Sequence, residues 1–286
     1  MAQERASTRV AFSSHPRSWR DFRYVYPVIS RRSKGLSIGV NLSPGRSCNF
    51  NCVYCQVDRS RPARLVPIDF DVLAAELSAL LANPEQVFAD EKYRDIPARL
   101  RTIKDIAFSG DGEPTISPAF PAATGLVAEL RSTFGLADAK IILLTNACLL
   151  REPAVLQTLA FLDEHNGEIW AKLDAGTPAY FEQVNRPSHP LTHVLDNILV
   201  TARVRPIVIQ SLFMRIHDAP PPADEIAAYV DRLRWLLDNG GQLKLVQVYT
   251  VARPTAEPYV SRLMPEQLES IADVIRPLGV PAETFA

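Results

Sequence analysis

The 286 residues are 47% hydrophobic and 22% charged, with a formal net charge of −1, which argues against a disordered chain and against a protein basic throughout. No apolar run is long enough to span a bilayer, and the opening MAQERASTRV has no apolar core of a signal peptide, so a cytoplasmic protein with no membrane partner is expected. Four cysteines are too few for a disulfide scaffold and suit a reducing compartment.

The charge is unevenly spread. Residues 1–66 hold twelve Lys and Arg against three Asp and Glu, so the rest of the chain is acidic. Residues 1–34 read as an irregular basic arm, and residues 35–286 as one α/β domain. Within the arm, Trp19, Tyr24 and Tyr26 offer stacking surfaces to a phosphate-bearing partner; the competing reading is an arm wrapping an acidic body by charge complementarity.

Beyond the arm, β-branched runs alternate with amphipathic stretches. Strands are predicted at Leu36–Leu42, Ile103–Phe108, Lys140–Leu144, Ile169–Leu173, Ile207–Met214 and Leu243–Thr250. Helical spacing links Leu73, Leu77, Leu80 and Leu81, and again Ile226, Val230, Leu233 and Leu237. Leu126, Val127 and Leu130 mark another helix, and Pro153–Phe161, Leu191–Ala202 and Pro265–Ile275 complete the set, two of them opening on a proline that a first turn tolerates. Six strand-then-helix units imply parallel strands with right-handed crossovers. Periodicity does not separate an open doubly wound sheet from a partial barrel; in either, functional loops lie at the carboxyl ends of the strands.

The loop after the first predicted strand reads NLSPGRSCNFNCVYCQVDR, placing Cys48, Cys52 and Cys55 in a Cys-x3-Cys-x2-Cys spacing that ends in Tyr54-Cys55. Three thiolates can hold three irons of a [4Fe–4S] cube and leave the fourth open to an exogenous ligand. A structural zinc site completed by a distant Cys148, His189 or His217 is the competing reading.

This spacing, with an aromatic residue before the last cysteine, resembles the signature of the radical S-adenosylmethionine (SAM) superfamily. The resemblance implies a partial (β/α)6 barrel of parallel strands, behind the irregular N-terminal arm, with the cluster loop after its first strand. FSGDGEPT, after the second strand, is similar to the superfamily's Gly-Gly-Glu motif, so Gly110, Asp111, Gly112 and Glu113 are expected to hold the methionine amino group, with Asp111 in place of a glycine. LLTNA resembles the frequent Thr-Asn-Gly, which puts Thr145 and Asn146 toward the cofactor and Ala147 in place of glycine. Lys172 and Asp174 share one strand face. They are expected to clamp the methionine moiety, Lys172 by its carboxylate and Asp174 by ammonium or ribose hydroxyls. Tyr54 joins the cofactor site, and Gln210, Gln247 and Tyr249 either line a pocket or satisfy one another.

By the resemblance the chain is a radical SAM iron–sulfur enzyme: a [4Fe–4S] cluster reduces SAM to methionine and a 5′-deoxyadenosyl radical that abstracts hydrogen from a substrate. Its partners are then a flavodoxin- or ferredoxin-like one-electron donor and a substrate. SGDGEPT and KLDAGTPAYFEQVNRP resemble the subgroup of wyosine-base tRNA synthases, which points to tRNA or a nucleotide-like substrate. That subgroup carries a second, N-terminal cluster, whereas residues 1–47 contain no cysteine. The alternatives are a protein- or peptide-modifying enzyme, such as a glycyl-radical activase, and a noncatalytic metal-stabilised module.

Overall fold

The structure, a computed structural model, describes residues 17–60 and 62–286. The first half of the basic arm lies outside the described residues. The chain divides into two compact units. The first takes the described residues up to Ser47 together with Arg64–Leu143 and Ala154–Glu168; the second takes Cys48–Ala63, Leu144–Pro153 and Ile169–Ala286.

In the first unit, β1 (Val25–Ser30) pairs antiparallel with β2 (Gly35–Val40), and β2 pairs parallel with β3 (Ile103–Phe108). Parallel pairing continues from β3 to β4 (Lys140–Thr145), Phe108 facing Leu143. All six residues of β2 are buried, as a strand apolar on both faces requires. The helices α1 (Phe70–Ala82), α2 (Glu85–Phe88), α3 (Phe120–Thr133) and α4 (Pro153–Glu164) fall between or after these strands. In α1 the predicted leucines Leu73, Leu77, Leu80 and Leu81 are buried, and Asp69 caps the helix by accepting from the Val72 amide at 3.2 Å.

The arm is not irregular throughout, since Val25–Ser30 form β1. Glu76 of α1 accepts the amides of Arg23, Tyr24 and Val25 at 2.6, 2.9 and 3.1 Å, and so anchors the entry to β1. Trp19, Tyr24 and Tyr26 are 5%, 1% and 2% exposed, so their rings are core and present no stacking surface. The positive charge around them concealed an apolar segment.

The second unit contains β5 from Ile169 onward (β5 is Gly167–Lys172), α5 (Pro178–Asn185), α6 (Leu191–Val204), β6 (Ile207–Leu212) and β7 (Met214–Ile216). After these come α7 (Ala223–Asp238), β8 (Leu243–Tyr249), β9 (Val260–Arg262), α8 (Pro265–Ile275) and β10 (Ala282–Phe285). Parallel pairing runs from β5 to β6, β6 to β8 and β8 to β10. The strand predicted over Ile207–Met214 breaks at Phe213, whose amide bonds the Tyr249 carbonyl at 2.8 Å; Met214 then starts a separate two-stranded sheet with β9. β10 escaped prediction because AETF has no run of apolar residues, and α5 because its eight residues are too few for a periodic signal.

Candidate active site

The cysteine loop lies in the second unit and is held by main-chain bonds to the end of α5. Val53 N donates to Val184 O at 2.9 Å, Asn51 N to Asn185 O and Arg186 O at 3.1 and 3.2 Å, and Ser188 N to Asn49 O at 3.0 Å. Arg186 adopts a left-handed φ of +43°, which ends α5 and turns the chain alongside the loop. The Arg186 side chain bonds Glu257 Oε1 at 2.6 Å and the Tyr259 hydroxyl at 2.8 Å. On the other side, Ala256 N donates to Cys55 O at 2.9 Å.

Cys48, Cys52 and Cys55 are half-buried and in no disulfide. Each sulfur has an N–H nearby: Asn185 Nδ2 lies 3.5 Å from Cys52, Arg59 Nη2 3.7 Å from Cys55, and Asn146 Nδ2 4.0 Å from Cys48. Burial, and then the negative charge of Asp174, push the Cys52 thiol up to about 12. A metal centre would supply positive charge that favours the thiolate there.

The donor set fits an iron–sulfur cluster: three thiols on one loop, with amide and guanidinium N–H groups directed at them. A cube takes each thiolate at a different corner, so its ligands need not converge on one point. Among the described residues, no three His, Cys, Asp or Glu side chains converge as a single ion requires. The distant zinc ligands considered from the sequence join the loop cysteines in no such group among the described residues. Cys148 is buried, its carbonyl bonded by His193 and Asn197; His189 stacks edge-on against His193, and His217 lies flat on Tyr259.

Behind Cys52 runs a continuous polar network. Asp174, 1% exposed, accepts from Tyr54 at 2.5 Å and Asn185 Nδ2 at 2.9 Å on Oδ2, and from Leu212 N at 2.9 Å and Lys172 Nζ at 3.3 Å on Oδ1. Lys172 also donates to the Tyr249 hydroxyl at 2.8 Å, and its ammonium lies 5.0 Å from the Tyr54 ring centroid. Tyr249 reaches Gln210 Oε1 at 3.5 Å, and Gln210 donates to Gln247 at 3.0 Å. Burial by itself would lower the Lys172 pKa, but Asp174 and Tyr249 outweigh it and the net shift is upward. The Tyr54 hydroxyl is pushed up by burial and by Asp174. Lys172 and Asp174 do share a face, yet all four acceptor positions of Asp174 are taken by protein donors. Thr145 and Asn146 shape the adjoining turn: Thr145 Oγ1 accepts from Ala147 N at 3.0 Å, and Asn146 bonds Asn49 Oδ1 at 2.6 Å and Cys148 N at 3.1 Å. Ala147 has φ +65°, the conformation for which glycine is the usual residue.

The Gly110–Glu113 loop belongs to the first unit. Gly110 has φ +144°, and a Cβ there would fall 2.5 Å from Asn41 Oδ1. At Gly112 a Cβ would fall 2.0 Å from the Ser47 carbonyl oxygen. Asp111 is clasped by Asn41, which donates Nδ2 to Oδ2 at 2.8 Å and accepts the Asp111 amide at 3.2 Å, and it pairs with Arg17 at 3.3 Å. Glu113 is buried and caps the following turn, accepting Thr115 Oγ1 at 2.7 Å. Sequence reasoning missed Asn41 and the contacts of Asn185 with Cys52, Tyr54 and Asp174. The available signal was a polar residue ending an apolar strand in the first case and the Asn-Arg-Pro turn in the second.

No protein-family model matches the chain. In structure it is similar to a radical SAM methyltransferase from Sphaerobacter thermophilus, with a TM-score of 0.62 and 17% identity over 91% of this chain and 68% of that one. A structure described as TYW1 with a lysine-pyruvate adduct bound gives a TM-score of 0.51 and 15% identity, covering 94% of this chain and 80% of that one. The fold is therefore α/β, of the partial-barrel class found in radical SAM enzymes. In sequence the chain is similar to a UPF0026 protein of Helicobacter pylori, 27% identical over 238 residues, or 80% of this chain and 66% of that protein. It spans from about a third to two thirds of the length of the curated relatives it matches. Among the described residues no helix is long and apolar enough to cross a membrane.

Proposed function

We propose that the chain is a radical SAM enzyme whose Cys48, Cys52 and Cys55 hold a [4Fe–4S] cluster and whose substrate is tRNA or a nucleotide-like molecule. The observation that carries this reading is the cysteine loop, with three unbridged thiols in eight residues and an N–H within 4.0 Å of every sulfur. When bound, the cluster would supply one electron, taken from a flavodoxin- or ferredoxin-like donor, to the sulfonium of SAM, breaking its C5′–S bond to methionine and a 5′-deoxyadenosyl radical.

The chain's own residues do the rest. Lys172, held protonated by its neighbours, offers a fixed positive charge to the methionine carboxylate. Asp174 and Tyr54 keep that lysine in place, and Asn146 braces the loop through Asn49. Thr145 and Gln210 complete this side of the cofactor site.

A groove of about 560 Å³ supports the nucleotide-like substrate. Its lining includes Arg253, Arg262, Thr255 and Ser261 but no carboxylate, and Arg253 also bonds Gln56, next to Cys55, at 3.0 Å. Guanidinium groups suit phosphate.

Anaerobically reconstituted protein is expected to be brown, with about four irons per chain, and to release 5′-deoxyadenosine when reduced in the presence of SAM. Cys52→Ala should abolish that release. Colourless, zinc-loaded protein, or release undiminished in the variant, would refute the reading. Steeply salt-dependent tRNA binding would support the substrate class, whereas hydrogen abstraction from a peptide would replace it.

A further inference from the structure

We infer that Asn185 is a positioning residue for the cluster, its Nδ2–H donating to the Cys52 sulfur and thereby raising the cluster's reduction potential. This rests on the cluster reading above and adds to it a residue that controls the redox step.

Asn185 is the last residue of α5 and is 1% exposed. The main-chain bonds between residues 184–188 and 49–53 fix its backbone against the cysteine loop, so the side chain meets Cys52 by construction. Its amide nitrogen lies 2.9 Å from Asp174 Oδ2, 3.4 Å from the Tyr54 hydroxyl and 3.5 Å from Cys52 Sγ. The contact with Asp174 settles which way the amide faces, because a carboxylate oxygen at that distance takes an N–H and repels a carbonyl. One N–H then goes to Asp174, leaving the other for Tyr54 and the sulfur. Asn185 Oδ1 is buried and has no hydrogen-bonding partner. The side-chain amide therefore bonds here only as a donor.

Of the three N–H groups near sulfur, the one from Asn185 is the nearest, and it is tied through Asp174 to Lys172. One electron entering the cluster from an external reductant lowers its charge by one unit, spread over the irons and sulfurs, and no bond breaks. An N–H dipole pointing at sulfur favours the more negative form, which raises the potential. The surrounding low dielectric strengthens that effect.

The test compares wild type, Asn185→Leu and Asn185→Ser after anaerobic reconstitution. Iron and sulfide are measured first, and the reduced cluster is then followed by electron paramagnetic resonance during stepwise reduction with titanium(III) citrate. The leucine variant should retain iron but show a midpoint potential below wild type, and the serine variant, which restores a hydroxyl donor, should fall between. In wild type exchanged into heavy water, the reduced cluster should show a coupled exchangeable deuteron that the leucine variant lacks. Full iron content with an unchanged potential overturns the role of Asn185 and leaves the cluster reading standing. No iron in wild type overturns both. If the leucine variant loses its cluster, the serine variant decides: a midpoint potential below wild type supports the donor, and a potential equal to wild type overturns it.

Discussion

Asp111 and Asp174 both follow the carboxyl end of a strand, and both were expected to bind the cofactor, yet the chain treats them differently. Asp174 is enclosed, and four protein donors fill its acceptor positions. Asp111 is held from one side by Asn41 and shares its remaining oxygen with Arg17, in a pair whose side chains are 24% and 28% exposed. A carboxylate saturated by its own chain acts through what it positions, here Lys172, Tyr54 and Asn185. A carboxylate in a partly exposed pair is less committed to its own chain. Similar placement at a strand end therefore does not imply a similar role.

Three substitutions probe this contrast. The largest effect is expected from Asp174→Asn, which leaves Lys172 buried without its counter-charge; a loss of about 3–5 kcal/mol is expected, read from the urea midpoint of the metal-free protein. A loss under 1 kcal/mol would break the contrast by showing that Asp174 is not the centre of its network. Gly110→Ala comes next. It places a side chain on a φ of +144° and against Asn41, so a loss of about 1–3 kcal/mol is expected. Hydrogen exchange should show the Asp111 clasp loosened, as faster exchange of the Asp111 amide. The smallest effect is expected from Asp111→Asn, at most about 1 kcal/mol, since partly exposed pairs contribute little. Its consequence should fall on SAM instead, as weaker binding by calorimetry, with unaltered affinity arguing against a ligand role for Asp111.

Much of this was legible before any coordinates. The predicted strand at Ile103–Phe108 matches β3 to the residue, and the leucine spacing of α1 and the Pro153 and Pro265 helix starts hold. Such segments carry their period in consecutive residues. The strand Val25–Ser30 was hidden by flanking arginines, and its entry is anchored by Glu76, some fifty positions away. Ala147 could be marked as a departure from glycine, but its left-handed backbone could not be read from the residues.

The sequence by itself determined the chemistry on offer: three closely spaced thiols, a glycine-bearing acidic turn, and a lysine and a carboxylate two residues apart. Only the tertiary structure decided how those groups are used, because hydrogen bonds between distant segments have no local signature. Tyr54, Asp174, Asn185, Leu212 and Tyr249 come from separate parts of the chain, and their meeting makes one carboxylate a structural hub and directs an amide at the Cys52 sulfur.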